Sequence, residues 1–163
     1  MDEIVPTYCL VCSDLLQERF VHGAARMACQ SCDFVYFKEP KVAVGGLVED
    51  GKGRLLFTLR NHDPQMDMWA FPSGFVDSGE KLEQAIVREI REETGIETSV
   101  VALLGVFSRT GDPVIYIVYC LHWTSGNLVV GPEANDVRFF AENELPPSAF
   151  PSDTDVIEAW RNA

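Results

Sequence analysis

No stretch of this chain carries an apolar run long enough to cross a bilayer, and its first twenty residues hold Asp2, Glu3, Asp14 and Glu18 instead of an export signal. A cytoplasmic protein with no membrane partner is therefore expected. Basic residues are scarce: 13 Lys and Arg stand against 25 Asp and Glu, for a net charge of -12. A broad phosphate-tracking groove needs the opposite balance, so nucleic acid is disfavoured as a partner and a small ligand is easier to accommodate. Histidine occurs only as His22, His62 and His122, each isolated in sequence, and none is assigned a role. Internal repeats and low-complexity tracts are absent. At 163 residues the chain has room for one full domain and a small appendage.

Cysteine, by contrast, is concentrated at the front. Cys9, Cys12, Cys29 and Cys32 form two Cys-x-x-Cys pairs sixteen residues apart, a spacing that reads as a four-thiolate zinc site. Disulfides or a redox dithiol are the alternatives. Neither an export signal nor thioredoxin-like surroundings support them. A zinc ribbon over roughly residues 7 to 37 is expected, because so short a segment cannot build a core without a staple. Four cysteine ligands leave no open position, so the zinc should be structural, supporting a homodimer or one wall of a pocket. Ser13 and Asp33 stand where a glycine usually follows each knuckle, a departure that could distort those turns. Cys120, in an apolar strand-like run, reads as a small buried hydrophobe.

The most informative segment is residues 74 to 96, a glycine-punctuated loop feeding a helix. Leu82, Ala85, Ile86 and Ile90 give that helix an apolar stripe, and Gly95 stands where a left-handed C-cap is expected. Glu89, Glu92 and Glu93 fall at i, i+3 and i+4, so their carboxylates meet across one turn. Two such charges about 5 Å apart repel by about 3 kcal/mol at an effective dielectric near 20. A solvated charged face is the ordinary explanation for acids on a surface helix. Here the crowding suits bound hard divalent cations, which take oxygen ligands, and a carbonyl exposed by the turns at Pro72, Gly74 or Gly79 could complete the set.

The defining residues are Gly74, Glu80, Arg88, Glu89, Ile90, Glu92, Glu93, Gly95 and Ile96, and their spacing resembles the signature of the Nudix hydrolases at every position. Lys81, where family members often carry Ser or Thr, affects capping more than chemistry. The resemblance implies metal-dependent hydrolysis of a diphosphate bond in a nucleoside diphosphate joined to another group. It also implies magnesium or manganese held by Glu89, Glu92 and Glu93 with the Gly74 carbonyl, and Glu80 and Arg88 as orienting residues. Cleaving a diphosphate needs neutralised oxygens, an in-line water and a base. Glu89 and Glu93 are the first candidates for that base. Glu133, in the turn-rich stretch 131 to 136, is the candidate from outside the helix, and Asp136 a weaker one.

A zinc ribbon ahead of such a domain resembles two groups, the NADH pyrophosphatases and smaller ribbon-bearing hydrolases acting on FAD or ADP-ribose. Residues 106 to 113 read Val-Phe-Ser-Arg-Thr-Gly-Asp-Pro in place of the first group's Ser-Gln-Pro-Trp-Pro-Phe-Pro, which places the chain with the second. The expected substrate is FAD, ADP-ribose, NADH or a similar dinucleotide or nucleotide sugar. Arg60 and Arg109, at the ends of strand-like runs, are candidates for substrate binding, and Trp69, Phe71 and Phe75 could stack on a base although large rings mostly serve packing. The motif also admits a pool-cleaning nucleoside triphosphate pyrophosphatase. A catalytically silent sensing module would be marked by a broken glutamate set, and all three glutamates are present.

Two segments are expected: a zinc ribbon over residues 1–39 and a Nudix hydrolase domain over 40–163. Lys41 to Val48 and Arg54 to Arg60 read as a hairpin around Asp50-Gly51-Lys52-Gly53. Ser99 to Phe107, Val114 to Trp123, Asn127 to Val130 and Asp136 to Phe140 read as further strands, and Asp153 to Arg161 as a closing amphipathic helix. Without regular βαβ repetition this fits an α/β class with a mixed sheet between helices, the α/β/α sandwich that the resemblance implies.

Overall fold

The computed structural model describes residues 5–163, so Asp2 and Glu3 lie outside the described residues. The chain falls into two compact units that divide between Glu39 and Pro40. In the first, strands β1 (Leu16–Val21) and β2 (Ala24–Cys29) pair antiparallel around His22-Gly23. Both turn residues have positive φ, 50° and 79°, as a two-residue type I′ hairpin turn requires. Its core is small: buried Cys9, Leu16 and Cys29, flanked by Met27, Phe34 and Tyr36.

The second unit is a mixed sheet with a helix on each face. Its strands are β3 (Lys41–Glu49), β4 (Arg54–Arg60), β5 (Trp69–Ala70), β6 (Ser73–Phe75), β7 (Ile96–Phe107), β8 (Val114–Gly126) and β9 (Ala134–Ala141). The main path runs β5-β4-β3-β8-β7, with β6 on β3 and β9 on β4, and only the β3–β8 pairing is parallel. The expected hairpin joins β3 to β4, but the two strands share register only near its tip, at Glu49 and Leu55. Deeper in, β3 turns to β6 at Ala43, Val44 and Gly45, which ties the loop after β6 to the middle of the sheet.

Helix α1 (Leu82–Thr94) lays Ala85, Ile86 and Ile90 on one face of the sheet, against Val44, Val48, Leu56, Ile96, Tyr119, Leu121 and Val137. Each fully buried isoleucine contributes about 1.5–3 kcal/mol to this anchoring. The approach is close. A Cβ at Gly46 would stand 2.8 Å from the Ile90 Cδ1, so glycine sets how far the helix can descend. Helix α2 (Pro151–Arg161) covers the other face, where Val156 and Ile157 meet Leu47, Leu55, Phe57, Phe71 and Val118. The α/β/α layering expected from sequence is thus present. Among the described residues no helix is long and apolar enough to cross a membrane.

One expected strand is not a strand. Residues 127–130 read Asn-Leu-Val-Val, a short apolar run suited to a strand, but the backbone donors here and just beyond go elsewhere: Val129 N–H bonds the Thr94 carbonyl at 2.8 Å, and Gly131 N–H bonds the Glu93 carbonyl at 2.9 Å. The segment satisfies the last carbonyls of α1, which a helix end leaves without intrahelical partners. Gly95, at φ 73°, closes the helix with its N–H on the Arg91 carbonyl. A Cβ there would meet the Asn127 carbonyl oxygen at 3.0 Å, so Gly95→Ala combines left-handed strain with crowding. Urea unfolding should show a loss of about 1–2 kcal/mol; an unchanged midpoint would mean that this turn is not under constraint.

Candidate active site and cysteine cluster

Arg88 organises the acidic face. Its Nε and Nη2 each donate to one oxygen of Glu80, both at 2.9 Å, in a bidentate pair. Nη1 donates to Glu89 at 2.8 Å and to Glu92 at 3.3 Å, and Nη2 also reaches the Phe75 carbonyl at 3.3 Å. One planar fork therefore joins the loop, through Glu80 and Phe75, to the helix, through Glu89 and Glu92. The arginine is held firmly charged by Glu80 and then Glu89, and Glu80 is held below the usual carboxylate range by Arg88. Gly74 leaves room for the Glu89 carboxylate: a Cβ there would lie 2.1 Å from its carboxyl carbon and would displace it.

Glu93 turns the other way. Its carboxylate accepts from the Ser73 N–H at 3.4 Å and from the Thr58 hydroxyl at 3.5 Å, and Thr58 itself is buried on β4. Burial pushes the Glu93 acid up to about 8, with the charges of Glu89 and Glu133 adding to it while Ser73 N–H and Arg60 oppose. Glu89 is raised as well, first by burial, then by Glu92 and Glu133 against the pull of Arg88. The structure thus brings Glu133 into electrostatic reach of the helix acids. Its loop is held against α1, since a Cβ at Gly131 would stand 2.5 Å from the Glu93 carbonyl oxygen.

The remaining candidates fare differently. Arg60 lies near Glu93, donating from Nε to the Pro64 carbonyl at 3.0 Å and from Nη2 to the His62 ring at 2.9 Å, with its guanidinium over Phe150. Arg109 is drawn to α2, pairing with Asp155 at 2.6 Å and with the Pro151 carbonyl at 2.8 Å. Phe71 is core, Trp69 is half-buried against Phe140, and Phe75 is exposed with the Lys41 ammonium over its ring. Thr58, Ser73, Asn61 and His62 were not singled out by sequence. Thr58, Ser73 and Asn61 matter through contacts with residues 20 to 73 positions away, and His62 through Glu133 in the later loop as well as its neighbours Arg60 and Asn61, so no local pattern marks them.

In the first unit the four cysteine sulfurs all lie within 4.8 Å of one another. Val11 N–H points at the Cys9 sulfur and Ser31 N–H at the Cys29 sulfur, both at 3.4 Å. Burial works against ionisation of Cys9, yet N–H groups of Cys12 and Val11 bring its thiol down to about 7. Cys12 goes up to about 12: the Asp14 N–H opposes this, while the Cys29 sulfur and burial drive it. One thiol is thus lowered and its neighbour raised, within a four-sulfur cluster whose spacing could hold a metal ion. The turn after the first knuckle forms with Ser13 at φ 63°, the left-handed backbone that glycine would adopt more easily. Cys120 is half-buried on β8, away from this cluster in sequence and in unit.

Residues 39–160 match the NUDIX domain, three quarters of the sequence. The chain belongs to the Nudix family. Its similarity to the ADP-ribose pyrophosphatase of Methanocaldococcus jannaschii is 39% identity over 77% of this chain and 78% of that protein. To the NAD-capped RNA hydrolase NudC of Pseudomonas entomophila it is 26% identical over 78% of this chain, but spans only 46% of that protein. A Nudix hydrolase of Nitrosomonas europaea superposes with a TM-score of 0.87 at 27% identity, covering 94% of this chain and 89% of the other.

Membership of the Nudix family implies a divalent metal, and the donor set fits one. Glu89, Glu92 and Glu93 offer hard oxygen ligands; burial is the first cause of the upward shifts of Glu89 and Glu93, and the charges of neighbouring carboxylates add to it. Among the described residues, however, only the cysteines converge within 4.8 Å: Arg88 draws Glu89 and Glu92 toward the loop while Glu93 faces Ser73. A cation would have to gather the three.

The pH dependence follows from Glu93. Its pKa near 8 exceeds the unfolded value of about 4.3, so between these limits the folded protein keeps a proton that the unfolded chain has released. Stability of the metal-free protein should fall as pH rises through this window and level off above about 8. Asp153, which burial raises to about 6, contributes in the same sense at lower pH, and Cys9, brought down to about 7, contributes in the opposite sense above that value, so the helix acid is isolated by comparing the wild type with Glu93→Gln at pH 6.5 and 8. Magnesium should raise the thermal midpoint more at pH 8 than at 6.5, and Glu93→Gln should flatten the difference. Equal shifts at both pH values would contradict a cation among these acids.

Proposed function

We propose that this chain is a magnesium- or manganese-dependent pyrophosphatase that cleaves the diphosphate of a nucleoside diphosphate joined to a second group, with ADP-ribose as its substrate type. The observation that carries the reading is the Arg88 clamp, which sets Glu89 and Glu92 beside the Gly74 loop in a chain 39% identical to an ADP-ribose pyrophosphatase. The weaker, half-length similarity to an NAD-capped RNA hydrolase and the net charge of -12 favour a small substrate over RNA.

Glu89, Glu92 and Glu93, with the Gly74 carbonyl, would hold the metal. Bound there, it supplies neutralisation of the diphosphate oxygens and acidifies the attacking water. A carboxylate that ligates a cation loses basicity, so the proton of that water passes to an acid outside the set. Glu133 fills this role: its side chain is 68% exposed, its charge is felt by Glu89 and Glu93, and Arg88 does not engage it. Glu80 and Arg88 keep loop and helix in register. Arg60 would meet a substrate phosphate beside Glu93, while Arg109 would do so only by exchanging Asp155 for the phosphate. In the ribbon, Cys9, Cys12, Cys29 and Cys32 hold a structural zinc, and a reducing cytoplasm would keep those thiols available.

Glu92→Gln and Glu93→Gln should each lower kcat by about a hundredfold or more while circular dichroism stays unchanged. Wild-type rates at saturating magnesium would remove the assigned role. The substrate is tested with a panel of ADP-ribose, FAD, NADH and nucleoside triphosphates, ranked by kcat/KM. ADP-ribose should lead, and preference for a triphosphate would replace this reading by the pool-cleaning one. Dialysed protein should retain zinc equimolar with chain; absence of zinc with four reactive thiols would dispose of the ribbon site.

A further inference from the structure

Between β4 and the loop that carries Glu133 runs a directed chain of hydrogen bonds. A guanidinium can only donate, so the Arg60 Nη2 contact at 2.9 Å makes His62 Nε2 an acceptor. The ring's other nitrogen then carries the proton and donates to Asn61 Oδ1 at 3.3 Å. This fixes the Asn61 amide with its nitrogen toward the loop, where Nδ2 donates to the Pro132 carbonyl at 2.8 Å and the Ala134 carbonyl at 3.4 Å. Its backbone N–H donates to the carbonyl of Glu133 itself at 3.2 Å. One residue thus bonds three consecutive carbonyls centred on Glu133.

The strand register explains how they come within reach. Leu59 pairs with Asp136 but Arg60 with Ala134, so Asn135 is an extra residue on β9, and the resulting bulge swings the preceding loop toward Asn61. On its other side the loop is fixed by the Gly131 N–H on the Glu93 carbonyl at 2.9 Å. Glu133 therefore hangs between two anchors, one on the C-terminal turn of α1 and one on the end of β4. Its own carboxylate stands 4.0 Å from His62 and is otherwise open to solvent.

We infer that Asn61 is a positioning residue that holds Glu133 in place to receive the proton of the attacking water. This rests on Glu133 being the base, and the test separates the two claims. In a double-mutant cycle on the full chain, with magnesium and ADP-ribose saturating, Glu133→Gln should lower kcat by about a hundredfold or more. Asn61→Ala should lower kcat by about tenfold or more with KM changed less than about twofold, since misplacing a catalytic group by an ångström is this costly. Added to Glu133→Gln, Asn61→Ala should cost less than about twofold. Asn61→Asp, which keeps the bulk but loses both Nδ2 protons, should behave likewise and serves if the alanine variant does not fold. An Asn61 effect of equal size with and without Glu133, or none at all, overturns the positioning role alone. A silent Glu133→Gln overturns the base, and the positioning role with it.

Discussion

Like charges crowded on one helical turn would open the loop–helix junction if nothing offset them, and the Arg88 guanidinium is the group that does. It lies on the same helix as the acids and reaches back to Glu80 in the loop, so it neutralises repulsion and supplies a mechanical link together. A lysine could supply the charge but not five donors in one plane. Because Arg88 is only 25% exposed, its ion pairs are less screened than those of surface residues. The position of Gly74 against Glu89, and with it the geometry offered to a cation, depends on this one side chain.

The scaffold serves the same turn of helix from below. Ile86 and Ile90 fix α1 to the sheet, Gly46 lets it approach, and residues 127–131 engage its last carbonyls. The N-terminal part of the loop is held by β6 on β3. Each acid is thereby mounted on an element with its own buried anchor. Precise placement of ligands depends on such rigid mounting.

What could be read from the sequence was whatever is encoded at short range. Helical spacing of Glu89, Glu92 and Glu93, the apolar stripe, the Gly95 stop and the paired cysteines are all set within a few residues, and the structure shows each. Asn127 to Val130 shows the limit. Its Leu-Val-Val run suits a strand, but the competing demand came from the unsatisfied carbonyls of α1, more than 30 residues earlier in the chain. The same holds for Glu93, whose environment is set by Thr58 and Ser73, and for Asn61, whose partners lie 71 and 73 residues away. His62 carried no signal in sequence because a lone histidine has no pattern. Its contacts with Arg60 and Asn61 are between sequence neighbours, and only the fold sets it 4.0 Å from Glu133.

The charge balance at the site argues for the order in which it must be filled. Glu80, Glu89, Glu92, Glu93 and Glu133 face two guanidiniums, Arg88 and Arg60, and Arg88 is already committed to three of those acids. An anionic diphosphate approaching this face without a cation would meet net repulsion in a protein whose overall charge is also negative. Deprotonation of Glu93, which burial opposes until about pH 8, worsens that repulsion, and a divalent metal held by these acids would reverse it. On the proposed reading, metal before substrate is therefore the electrostatically favoured sequence, and Glu93 is where proton and cation would compete for the same carboxylate.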